Sequence, residues 1–212
     1  MYRNSEANQV STASNIRRFV KGVPYGQIFS TRECLHFGSR ASVDQTFYRL
    51  VGDCKIVRLA YGLFVKLQPG MKMPSIEEIA IAKAKAFSKE IFVHGQDAAF
   101  EVGIADQPNK VPTYYVTGSA CSSFRSLVHG RRVYLKSTAA RKVYEKNTRV
   151  GKVLRGLWHI GEEALDLNVL QKATMNLNRD EIRQLRLAAY RVPYWLARFT
   201  NRSLTNFGQV LS

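Results

Sequence analysis

Between Gly38 and Leu50 the chain reads GSRASVDQTFYRL. Val43, Phe47 and Leu50 are spaced to stack on one face of a helix, which puts Gln45 nearly opposite, flanked by Ala41, Ser42, Tyr48 and Arg49. These residue types carry the chemistry of base-edge recognition. Gln pairs bidentately with adenine, Arg reaches guanine or phosphate, Ser bonds either, and a small apolar Ala touches a thymine methyl. Arg40 adds charge at the helix N-terminus, where backbone amides already favour a phosphate. The solvent face of any short helix also collects polar residues, so the surrounding elements must decide between the two readings.

Those elements follow a recognisable order. Residues 1–11 are small and polar and read as a flexible tail. Ile16, Phe19, Val20 and Val23 then recur at helical spacing, and Gly22 and Pro24 end that helix. A short apolar insert, GQIFST, precedes Ser30 and Glu33, the spacing of a reciprocal helix cap, so a second helix is expected over Thr31–Phe37. Ser39 caps the third. KIVRLAYGLFVKL follows, rich in β-branched and aromatic residues, with a tight turn at AYG that lets two strands pair. Helix, insert, helix, helix, hairpin is the order of a winged helix-turn-helix. The third helix stands where a recognition helix stands, and Lys55, Arg58 and Lys66 on the hairpin suit a wing over a phosphate backbone. Winged helices also serve as protein-binding modules, and that alternative stays open.

QPGMKMP, residues 68–74, reads as a linker between a DNA-binding domain over 12–67 and a second domain over 75–212. The fold class expected is α+β, with a larger second domain of a small antiparallel sheet and C-terminal helices. Ser75 and Glu78 cap an alanine-rich helix, and DAAFEVGI suggests another short one. Residues 112–138 alternate as strands do, with a turn at His129–Gly130. Helical spacing returns from Val153 to Leu167 and from Ile182 to Phe199, with Pro193 marking a kink or a fresh start in the second set.

The chain carries 32 Lys and Arg against 16 Asp and Glu, a formal net charge of +16, which favours a polyanionic partner without naming one. Much of this charge lies in one run of Arg125, Arg131, Arg132, Lys136, Arg141, Lys142, Arg149, Lys152 and Arg155, joined by Lys146 and opposed only by Glu145. Interleaved Tyr134, Tyr144 and Trp158 allow a second basic surface for nucleic acid, and an acidic protein partner would use the same charges. The three cysteines are odd in number and scattered, and the four histidines lack metal-ligand spacing, so neither a disulfide framework nor a metal nor a cofactor is expected. No apolar run approaches a membrane span, no secretory leader is read, and a cytoplasmic protein is the expectation. TGSACSS lacks the ending of a phosphate loop and reads as a turn between strands. No catalytic constellation stands out, so an enzyme is not expected.

VPYGQIFSTRECLHFGSRASVDQTFYRLVGDCKIVRLAYGLFVK resembles the winged helix of the AbiEi family of bacterial antitoxins, through Gly38, Ser39, Val43, Phe47, Arg49, Leu50, Ile56, Arg58, Leu59, Gly62 and Phe64. Phe47 and Phe64 stand where the family often has Leu and Tyr. Val116–Thr138 is similar to the sheet that follows in that family. The resemblance implies an antitoxin and autorepressor that binds its own promoter as double-stranded DNA and counters a toxin of nucleotidyltransferase type, without requiring a stable toxin complex. The alternative is a plain winged-helix transcription regulator whose C-terminal domain senses a ligand or dimerises.

Overall fold

A computed structural model describes residues 11–208, with side chains described as far as Ser203. The tail expected over 1–11 lies, Ser11 apart, outside them. Ser11 accepts a hydrogen bond from the Ser14 amide to open α1 (Thr12–Gly22), whose Ile16 and Val20 are buried. Strand β1 (Ile28–Ser30) leads into Thr31–Phe37, so the expected second helix is a tight 3-10 helix. Glu33 Oε1 accepts from the Ser30 amide at 2.7 Å and pins its first turn. Helix α2 (Arg40–Gly52) starts at Ser39, whose hydroxyl accepts from the Ser42 amide at 3.3 Å. Strands β2 (Val57–Ala60) and β3 (Leu63–Val65) turn at Tyr61–Gly62, where Gly62 has φ of +76°, a conformation cheap only for glycine. Strand β3 pairs antiparallel with both neighbours in the order β1-β3-β2.

One core joins these pieces. Phe29, Phe47 and Phe64 bury together with Ile16, Val43 and Leu50. The rings of Phe47 and Phe64 stack with centroids 4.7 Å apart. Each such side chain contributes about 1.5–3 kcal/mol on burial, so packing of its inner face, more than propensity, fixes how α2 is rotated. A second cluster sets Leu59, Leu63 and Val65 against Ile79 of α3 (Ile76–Lys85). The chain divides into two compact units, and the first runs through α3 to Ser88 and takes in Phe124–Arg132. The Gln68–Pro74 segment thus lies inside the first unit.

The second unit takes Lys89–Ser123 and the chain from Val133 onward. It holds β4 (Ile91–Val93), α4 (Gly95–Glu101), β5 (Thr113–Val116), the start of β6 (Ser122–Arg125) and all of β7 (Arg132–Ser137) but its first residue, and the strand order is β4-β5-β7-β6. Strands β5 and β7 run parallel, so the sheet is mixed and the expected antiparallel sheet is corrected. The cause is topological: β6 acts as the crossover that returns β7 to the same direction as β5. Four helices follow: α5 (Arg149–Ile160), α6 (Leu167–Thr174), α7 (Arg179–Ala188) and α8 (Tyr194–Gly208). Gly161, at φ +86°, ends α5, so the periodic run from Val153 to Leu167 is split between two helices. The Pro193 carbonyl accepts from the Ala197 amide at 3.0 Å, and α8 starts afresh there. Leu154, Leu157, Leu170, Leu185 and Leu196 form the core of these helices. The architecture is α+β, and no described helix is long and apolar enough to cross a membrane.

Candidate nucleic-acid interface

With Val43, Thr46, Phe47 and Leu50 turned inward, α2 sends Ala41, Ser42, Gln45, Tyr48 and Arg49 outward. Gln45, Tyr48 and Arg49 have no polar partner among the described residues, and Tyr48 is 70% exposed. Ser42 Oγ lies 2.9 Å from Ser39 Oγ at the helix start. Arg40 is less available, because its Nε donates to Asp44 Oδ2 at 2.7 Å one turn on.

Beside this face opens a groove of about 740 Å³ whose lining includes Gln45, Tyr48, Arg58, Tyr61 and Lys83. The Arg58 guanidinium sits 5.5 Å from the Phe64 ring, and its Nε is buried without a hydrogen-bond partner. Lys83 arrives from α3 and donates to the Tyr61 carbonyl at 2.7 Å. Burial, and then the Arg40 charge, hold the Lys83 ammonium below its usual pKa. Neither Tyr61 nor Lys83 was expected. Lys83 lies outside 12–67, and only the packing of α3 behind the hairpin brings it in.

The hairpin cations separate. Lys55 is exposed just past α2. Lys66 is placed elsewhere than the expected wing: its ammonium donates to the Val20 and Lys21 carbonyls, each at 3.0 Å, and lies 4.5 Å from the Tyr25 ring. It satisfies the last carbonyls of α1, which a helix end leaves without intrahelical partners.

The second basic run is likewise divided. Arg125, Arg131 and Arg132 belong to the first unit, and the rest to the second. The surface expected of Arg155 is corrected, because its side chain is fully buried. Its guanidinium donates to the Lys146 carbonyl and to Asn147 Oδ1, while Asn147 also accepts from the Val93 amide at 3.0 Å. Burial lowers the Arg155 pKa to about 10, so it stays charged at neutral pH. Lys152 pairs with Glu101 at 2.6 Å, and Arg149 reaches Glu181 at 3.8 Å. Lys136 and Arg141 remain exposed and Lys142 half-buried.

Sequence spacing also missed a meeting of His94 and His159, whose ring centroids are 5.6 Å apart although 65 positions separate the residues. No motif scan finds such a pair, because α4 and α5 bring it together only by packing. Gly156 makes that packing close: a Cβ on it would come within 3.0 Å of Ala99 Cα. Among the described residues no group of three or more His, Cys, Asp or Glu is placed to hold a metal.

Residues 15–185 match the DUF6088 family, a family of unknown function, and the chain belongs to it. No curated protein matches the chain.

Proposed function

We propose that the first unit contains a winged helix-turn-helix that reads double-stranded DNA, with α2 in the major groove and the β2–β3 hairpin as its wing. The observation that carries this reading is the outward face of α2, where Gln45, Tyr48 and Arg49 stand without polar partners beside a groove edged by Arg58 and Lys83. The order α1, β1, 3-10 helix, α2, β2, β3 and the strand order β1-β3-β2 support it. So does the charge of +16. In this reading Gln45 and Arg49 meet base edges, while Arg40, Lys55 and Arg58 meet phosphates.

The resemblance to AbiEi antitoxins extends the proposal: the chain represses its own promoter and counters a nucleotidyltransferase-type toxin encoded beside it. The test has three parts, the third a growth-rescue assay against the toxin. The full chain is used to select binding sites from random duplexes, and a reporter under its own upstream DNA is assayed with and without it. Recovery of one motif from the upstream DNA, with repression that Gln45→Ala abolishes, is the expected result. Selection that enriches no motif overturns the DNA reading. The absence of a nucleotidyltransferase gene beside it, or failure of the chain to rescue growth from one, overturns the antitoxin extension alone.

A plain dimeric regulator is the second reading. Leu187, Tyr190 and Tyr194 favour it, being 63%, 85% and 80% exposed around the end of α7 and start of α8. Sedimentation of Tyr190→Glu as monomer, where the parent chain is a dimer, would support it.

A further inference from the structure

The DNA reading leaves one cluster of the second unit unused. His94 precedes α4, and His159 lies near the end of α5. Gly95 allows their approach, since a Cβ there would fall 2.7 Å from His159 Cβ. The local bonds fix both tautomers. His94 Nδ1 accepts from the Asn109 side-chain amide at 3.0 Å and from the Gln96 amide at 3.3 Å, which leaves its proton on Nε2. Gln96 Nε2 donates to the Gln107 carbonyl, so Gln96 Oε1 is the atom that accepts from His159 Nε2 at 2.8 Å.

Cations gather around this pair. The His94 ring packs on Tyr115 at 4.5 Å, and the Lys142 ammonium stands 5.2 Å from the same Tyr115 ring. Lys142 is also 5.1 Å from the Trp158 ring, and the Arg141 guanidinium 5.4 Å. Lys136 on β7 stands in register beside Tyr115 of β5, and its charge and that of Lys142 act on both His94 and His159. The carboxylate acting on the histidines is Asp97, whose two oxygens already accept from the Asn109 amide at 2.7 Å and its side chain at 2.8 Å. Burial first, and then these charges, hold His94 at about 4 and lower His159, so both are neutral donors and acceptors at neutral pH. Lys136 and Lys142 outnumber Asp97, the carboxylate acting on these imidazoles, and the surplus makes a local positive potential that an anion relieves.

We propose that His94, Lys136 and Lys142 bind a phosphate group beside His159, whose one N–H is held by Gln96. The half-buried indole of Trp158 beside the same charge favours a nucleotide over inorganic phosphate, because a base can take the place of the exposed Arg141 guanidinium on that ring. Lys136 and Lys142 supply charge, His94 Nε2–H donates, and the Trp158 ring takes the base.

The test follows the imidazole signals of all four histidines in the full chain by NMR across pH, alone, with inorganic phosphate, and with a 5′-mononucleotide. Bound phosphate is expected to raise the proton affinity of His94 and His159 by roughly tenfold or more, as an opposite charge at this range does. His36 and His129 serve as internal controls and stay unmoved. The mononucleotide acts at lower concentration than phosphate, and Lys142→Gln and, separately, the exposed Lys136→Gln each weaken the response several-fold. No movement of His94 and His159, or equal movement of all four histidines, overturns the site. Equal potency of the two ligands overturns the nucleotide assignment.

Discussion

Two basic regions of this chain look alike in sequence and differ in structure. On α2, Arg49 stands free with Gln45 and Tyr48, because the inward face holding Phe47 already fixes the helix and asks nothing of them. In the run from Arg125 to Arg155, several cations are spent on the fold: Arg155 ties the Lys146–Asn147 turn toward β4, Lys152 holds Glu101, and Arg149 reaches Glu181. Density of charge along a chain therefore says little about charge offered to a partner. The available cations are those whose neighbours are already satisfied.

Arg155 is the cation most deeply committed to the fold. Replacing it with Ala removes a buried side chain and leaves the Lys146 carbonyl and Asn147 without their donor, so stability should fall by about 3 kcal/mol or more in urea unfolding. Affinity for duplex DNA, measured while the variant is still folded, should stay unchanged. A stable Arg155→Ala chain with weakened DNA binding would reverse the roles assigned here.

His94 supplies a pH signature for the second unit. Its folded pKa of about 4 lies below the ordinary 6.5, so between these values the unfolded chain binds the proton and the folded chain does not. Stability is therefore full above about pH 6.5 and declines as pH falls toward 4, by on the order of 2–3 kcal/mol. His94→Gln should flatten that slope, and an unaltered slope would place the acid sensitivity in other groups.

On the first unit the expected effects concern recognition. Gln45→Ala and Arg49→Ala should each lose about 1–3 kcal/mol of discrimination at particular base pairs while leaving thermal unfolding unmoved. Lys66→Ala should do the opposite. Loss of two bonds to the end of α1 costs roughly 1–2 kcal/mol in stability, with the salt dependence of DNA binding preserved. A flattened salt slope for Lys66→Ala would restore that lysine to the wing. The smallest effect concerns thiols: burial pushes Cys34 up to about 12, so it should resist alkylation until unfolding while exposed Cys54 and Cys121 react.

Much of the first unit was legible because its signals are local. Ser30 with Glu33, Ser39, and the 3.6-residue spacing of Val43, Phe47 and Leu50 each act within one turn, and the structure places the caps and the buried face where those residues put them. Gly62 marked its turn by the same logic. What stayed hidden depends on contacts remote in sequence. Lys83 reaches the groove by packing of α3, Lys66 finds α1 across 46 positions, and β7 inserts beside β5 in parallel, none of which a period or a motif encodes. Strand β4 is three residues long, too short for alternation to show. The buried role of Arg155 was hidden too, since an arginine on a charged helix reads as solvated until its carbonyl partners are known.

The most direct measurement titrates the full chain and its Gln45→Ala/Arg49→Ala variant against DNA from its own upstream region and against random duplex, each at two salt concentrations. The parent chain is expected to keep its preference for upstream DNA at the higher salt, and the double variant to bind both duplexes alike with the parent's salt slope. Equal, salt-sensitive binding of both duplexes by the parent chain would contradict it, leaving α2 an ordinary solvent face on a basic protein.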